Sequence, residues 1–144
     1  MSGKRGIADM RMMIALASLA CGSFAQIAPA ETLRTNGVEL EYHISGSGEP
    51  LLLIHGFGSC IDHSWGWIAP ELAKSYRVIA VNQRGHGRST NPSGKFTHAQ
   101  SAEDIRSLMD ALGVKSANAI GYSSGGMTLL HLATRYPDRV SKLV

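Results

Sequence analysis

Gly121-Tyr122-Ser123-Ser124-Gly125 follows Ala117-Asn118-Ala119-Ile120, short and apolar enough for a buried strand, and precedes a helical run from Met127 to Tyr136 that Pro137 stops. A Gly-x-Ser-x-Gly in that setting presents its serine at a tight strand-to-helix turn. Gly121 and Gly125 then avoid side-chain clashes where strand and helix approach closely. The first amides of the new helix are unpaired, so the Ser124 N–H can face negative charge forming on a substrate oxygen. The segment offers a candidate nucleophile, Ser123, and half of an oxyanion hole. The five-residue pattern alone also describes an inert Gly-Ser turn, so its neighbours must decide.

Two upstream segments share its layout. Leu51-Leu52-Leu53-Ile54 is a continuous apolar run, as in a parallel strand buried on both faces, and it ends abruptly in His55-Gly56-Phe57-Gly58. The turn after it can bring the Phe57 N–H beside Ser123 and complete a two-donor anion site. Val78-Ile79-Ala80-Val81 likewise runs into the polar, glycine-rich Asn82-Gln83-Arg84-Gly85-His86-Gly87-Arg88-Ser89.

His-Gly-Phe-Gly after one strand, Arg-Gly-His-Gly-Arg-Ser after the next and Gly-Tyr-Ser-Ser-Gly-Gly after a third together resemble the α/β-hydrolase superfamily, over roughly residues 33 to 144. The resemblance implies an α/β fold with a mostly parallel sheet and covering helices. It also implies a nucleophile, an acid and a histidine met in that chain order. The expectation is therefore an N-terminal portion of the fold, truncated after the nucleophile-elbow helix, with Ser141-Lys142-Leu143-Val144 opening the next strand and the acid and histidine still to come. Such a chain is expected to be inactive by itself.

The chemistry implied is hydrolysis of a small-molecule ester or similar acyl substrate. Ser123 attacks the carbonyl, the Phe57 and Ser124 amides hold the oxyanion, and water releases the acyl enzyme. Serine rather than aspartate at the elbow favours esterases and lactonases over dehalogenases and epoxide hydrolases. Two rival readings stay open: a cofactor-free perhydrolase or haloperoxidase-like enzyme with the same serine triad, and a non-catalytic relative that holds a small ligand.

None of the six histidines is placed by sequence within reach of Ser123. His55 and His86 lie in the two family-like loops, where the resemblance gives such residues a shaping role. His43 falls in an alternating strand, His98 near a helix start and His131 inside the helix after Ser123, while His63 sits in the loop after His55.

Lys4, Arg5 and Arg11 precede the apolar Met12 to Ala20, and small residues follow, the three parts of a secretory signal. Residues 1–30 are read as a signal peptide cleaved before Glu31 at Ala28-Pro29-Ala30, and residues 31–144 as the hydrolase-like portion, exported to the periplasm or beyond. Lipid anchoring at Cys21 is the weaker alternative, because Ser18 stands where that signal usually has leucine. The apolar run is also shorter than the roughly 20 residues of a spanning helix.

Loss of residues 1–30 takes Lys4, Arg5, Arg11 and Asp9 from 14 basic and 11 acidic residues and leaves 11 against 10. No basic cluster then remains to suggest nucleic acid. Cys60 is left without Cys21 and reads as a small, half-buried thiol. Ser89 to Lys95 lacks the first glycine of a phosphate-binding loop, and Thr90 replaces the third glycine of a dinucleotide fingerprint begun by Gly85 and Gly87. No Cys/His cluster has metal-ligand spacing, so neither cofactor nor metal is expected.

Elsewhere, Val38, Leu40, Tyr42 and Ile44 alternate with polar residues, as in a strand with one solvated face. Gly46 to Pro50 turns the chain into the strand at Leu51. Trp65, Ile68 and Leu72 share helical spacing, as do Ile105, Leu108, Met109 and Leu112 ahead of Gly113. These are expected to be covering helices, with Trp65 and Trp67 read as core in preference to pocket lining.

Overall fold

The computed structural model describes residues 29–144, so the expected leader lies outside the described residues except for Pro29 and Ala30. The chain runs β1 (Glu31–Thr35), β2 (Val38–Ser45), β3 (Pro50–Ile54), α1 (Ile61–Trp65), α2 (Ala69–Leu72), β4 (Arg77–Val81), α3 (His98–Ala111), β5 (Ala117–Gly121), α4 (Ser124–Arg135), a 3₁₀ turn (Pro137–Arg139) and β6 (Val140–Leu143).

The six strands form one sheet in the order β1-β2-β4-β3-β5-β6. β1, β2 and β4 pair antiparallel, whereas β4, β3, β5 and β6 pair parallel. β1 precedes the alternating run of β2, and Asn36-Gly37 forms the hairpin between them. Both residues take left-handed φ values, 47° and 76°, as a two-residue turn between right-twisted strands requires.

The unbroken apolar run of β3 is explained by its central place. Leu52 and Ile54 face a core formed with Ile105, Leu108 and Met109 of α3 and Leu129 and Leu132 of α4. Leu51 and Leu53 face the opposite core with Ile61, Trp65 and Ala69. Alternate residues of one strand thus serve two layers of helices.

Three local expectations are corrected. The second face of β2 is not solvated beyond Glu39. Glu41 and His43 are 6% and 8% exposed, because β2 lies inside the sheet and the loop after β4 covers it. Asn82 Nδ2 and the Arg88 amide each donate to Glu41 Oε2 at 2.7 Å, which supplies the partners a buried carboxylate needs. Trp65 is core but Trp67 is 76% exposed, since the chain breaks near Gly66 into two short helices instead of one. Both tryptophans border a cavity of about 530 Å³ with Ile120 and Tyr122. Cys60 is buried and disulfide-bonded, where the sequence reading expects a half-buried thiol.

Candidate functional site

The turn after β5 is as tight as its glycines imply. Ser123 has φ 52° and ψ −117°, and α4 starts at Ser124, three residues ahead of the sequence expectation. Among the described residues only Asn36 shares a positive φ without being glycine. A Cβ on Gly121 would lie 2.6 Å from the Gly126 nitrogen, and one on Gly125 would collide with the Ile54 carbonyl oxygen. Helix and strand therefore approach to backbone contact at both positions. The Ser123 side chain stands exposed, and no hydrogen bond engages its hydroxyl among the described residues.

The loop after β3 lies against this turn. Tyr122 N–H donates to the Ile54 carbonyl at 3.1 Å, and a Cβ on Gly56 would meet the Tyr122 ring at 3.0 Å. Phe57, Ser123 and Ser124 consequently border one cleft of about 660 Å³, together with Phe96, His98 and Met127. Neither the Phe57 nor the Ser124 amide donates to a main-chain carbonyl among the described residues. The three residues singled out from sequence are thus brought together, with the two flanking glycines behind them.

His55 and His86 hold this loop in place. His55 Nδ1–H donates to the Gly56 carbonyl at 2.7 Å, and its Nε2 accepts the Gln83 N–H at 3.0 Å. His86 Nδ1–H donates to the Arg84 carbonyl at 3.1 Å, and its Nε2 accepts the Gly58 N–H at 3.1 Å. Each ring is fixed as a neutral tautomer with both nitrogens occupied. Burial lowers both pKa values, that of His55 to about 4. A ring so committed has no lone pair left to take a proton from Ser123.

A second buried polar set joins the elements under the turn. The Gln83 side chain is wholly buried; its Nε2 donates to the His55 carbonyl at 2.8 Å, and its Oε1 accepts from Ser101 at 2.8 Å and Thr128 at 2.7 Å. Arg84 meets Asp104 of α3 through two hydrogen bonds of 2.6 and 2.7 Å, both side chains being fully buried. The loop after β4 thereby ties β3, α3 and the elbow helix into one unit.

Of the remaining histidines, His43 lies on β2 and His63 on α1, away from the cleft lining. His98, placed by sequence only near a helix start, has its Nε2 3.1 Å from Ser124 Oγ at the rim of the cleft. His131 of α4 stacks on it with ring centroids 6.5 Å apart and planes within 4°. No spacing in the sequence signals this meeting, because it depends on how α3 packs on α4.

The family described as the alpha/beta hydrolase fold matches residues 49–144. Over 111 residues the chain is 39% identical to a 2-hydroxymuconate semialdehyde hydrolase of Pseudomonas sp. (strain CF600), covering 75% of this chain and 39% of that protein. Among solved structures it superposes on the epoxide hydrolase CorEH with a TM-score of 0.77 and 33% identity, covering 80% of this chain and 40% of that one. It also superposes on Est816, an N-acyl homoserine lactone degrading enzyme, with a TM-score of 0.74 and 31% identity, covering 78% and 43%. The chain thus spans about two-fifths of the length of these relatives. With the sheet order, the strained turn at Ser123 and this sequence likeness in agreement, the chain belongs to the α/β-hydrolase fold family.

Proposed function

We propose that this chain carries the nucleophilic half of a serine hydrolase acting on carboxylic esters, lactones or similar acyl substrates. The observation that carries this reading is Ser123 itself: an exposed hydroxyl on a non-glycine residue at φ 52°, beside two amides with no main-chain acceptor. Strained φ values in non-glycine residues concentrate at functional sites, where the surrounding structure holds them. Ser123 Oγ adds to the acyl carbon, the carbonyl oxygen gathers negative charge between the Phe57 and Ser124 N–H groups, and collapse expels the alcohol. Water then attacks the same carbon and frees the acid.

The identity of the nucleophile bears on which relatives are chemical guides. A serine that displaces fluoride or opens an epoxide would become an ether, which water does not cleave. A serine acylated at a carbonyl becomes an ester, which it does. The likeness to an acyl-homoserine lactone degrading enzyme therefore agrees with Ser123 better than the likeness to epoxide hydrolases does. His55 and His86 have both ring nitrogens occupied and His98 engages Ser124, so none of these three is assigned as the proton acceptor of Ser123.

A fluorophosphonate probe applied to the full-length protein tests the reading. Labelling that disappears in Ser123→Ala is expected. A folded full-length protein that fails to label would favour a ligand-binding relative without turnover. Peroxide-dependent halogenation exceeding ester turnover would move the assignment to a perhydrolase.

A further inference from the structure

We propose that His98 is a positioning residue of the elbow, its imidazole anchoring the Ser124 side chain so that the Ser124 N–H stays aimed into the cleft. The inference rests on Ser123 being the nucleophile. A left-handed φ at a serine persists only where both sides of the turn are held. On the strand side the hold is main-chain: Tyr122 N–H to Ile54 O at 3.1 Å. On the helix side, among the described residues, Ser124 Oγ to His98 Nε2 at 3.1 Å is the side-chain hydrogen bond made by the first turn of α4.

A serine in a first helical turn has other options, since its hydroxyl readily bonds nearby main-chain groups. His98 removes that freedom because it is itself held. It follows Thr97, whose Oγ1 caps α3 by accepting the Gln100 N–H at 3.2 Å. The Phe96 ring packs edge-on against it at 5.4 Å and 87°, and the His131 ring lies parallel to it at 6.5 Å. Phe96 and His98 line the same cleft as Ser123, so the clamp acts beside the site where charge would develop.

The test separates ring packing from hydrogen bonding. His98→Phe keeps the ring and removes the nitrogen, His98→Gln keeps an amide nitrogen and removes the ring, and Ser124→Ala removes the partner. Fluorophosphonate labelling of the full-length protein gives a maximal rate and a half-saturating concentration for each variant, with melting curves to compare folding. Loss of one positioning hydrogen bond is expected to lower the maximal rate about tenfold in His98→Phe and in Ser124→Ala, with the half-saturating concentration unchanged. The double variant should be no slower than either single one, and His98→Gln should recover to within about threefold of wild type.

Wild-type rates in His98→Phe, multiplied losses in the double variant, or a Gln variant as slow as the Phe variant would each overturn the proposal. Ser123-dependent labelling that ignores His98 sinks this inference alone. No labelling of the wild type sinks the nucleophile reading and this one with it.

Discussion

Gln83 and His55 hold each other twice: the Gln83 N–H donates to His55 Nε2 at 3.0 Å, and the Gln83 side-chain amide donates to the His55 carbonyl at 2.8 Å. The same amide's oxygen accepts from Ser101 and Thr128, so one residue joins the loop after β3 to both α3 and α4. Gln83→Ala would leave a buried carbonyl and two buried hydroxyls unpaired, at about 1–3 kcal/mol each before relaxation. A loss of at least about 3 kcal/mol in denaturant unfolding is expected. A loss below about 1 kcal/mol would show that the network is not cooperative.

Arg84 and Asp104 form a buried ion pair, with Asn36 Nδ2 also donating to Asp104 Oδ1 at 2.6 Å. Removing one partner strands the other charge, so Asp104→Leu or Arg84→Met should each cost about 3–5 kcal/mol. The combined Arg84→Met and Asp104→Leu replacement should cost less than either alone, because no uncompensated charge remains. Urea melts of the three variants decide it.

Burial lowers the His55 pKa to about 4, against an ordinary value of 6.5. Between these values the unfolded chain binds the proton and the folded one does not. This contribution to stability is therefore fully present above about pH 6.5, falls as the pH drops toward 4 and levels off below it. Its size is about 3 kcal/mol, at roughly 1.4 kcal/mol per pKa unit. Unfolding free energies of wild type and His55→Gln at pH 7 and pH 4.5 should converge as the pH is lowered.

Ser123→Gly and Ser123→Ala are expected to differ in stability while both abolish labelling. Glycine adopts φ 52° without a Cβ penalty, whereas alanine keeps the strain. The glycine variant should be more stable than the alanine variant by about 1 kcal/mol, an increase in melting temperature readable by calorimetry. Equal melting temperatures would mean that the turn stores no strain.

Much of the scaffold was legible because it depends on short-range patterns. The run at Leu51 and the run at Val78 both became parallel strands, and the spacing of Ile105, Leu108 and Met109 became the buried face of α3. The glycines around Ser123 could be read because a close approach of backbones excludes any side chain. The solvated face expected for β2 failed for a long-range reason: Glu41 is covered by Asn82 and Arg88, 41 and 47 positions away. An alternating pattern reveals which face is apolar, but not whether the polar face has been roofed and paired.

By itself, the amino-acid sequence determined where the chain turns, which runs are buried on both sides, and that Ser123 sits at a strained strand-to-helix corner, since these follow from local sterics and apolar spacing. Only the tertiary structure decided which polar groups meet. His98 reaches Ser124 across 26 positions, Gln83 reaches His55 across 28 and Thr128 reaches Gln83 across 45. Hydrogen bonds form between groups about 3 Å apart in space, and the packing of α3 and α4 on the sheet sets that distance.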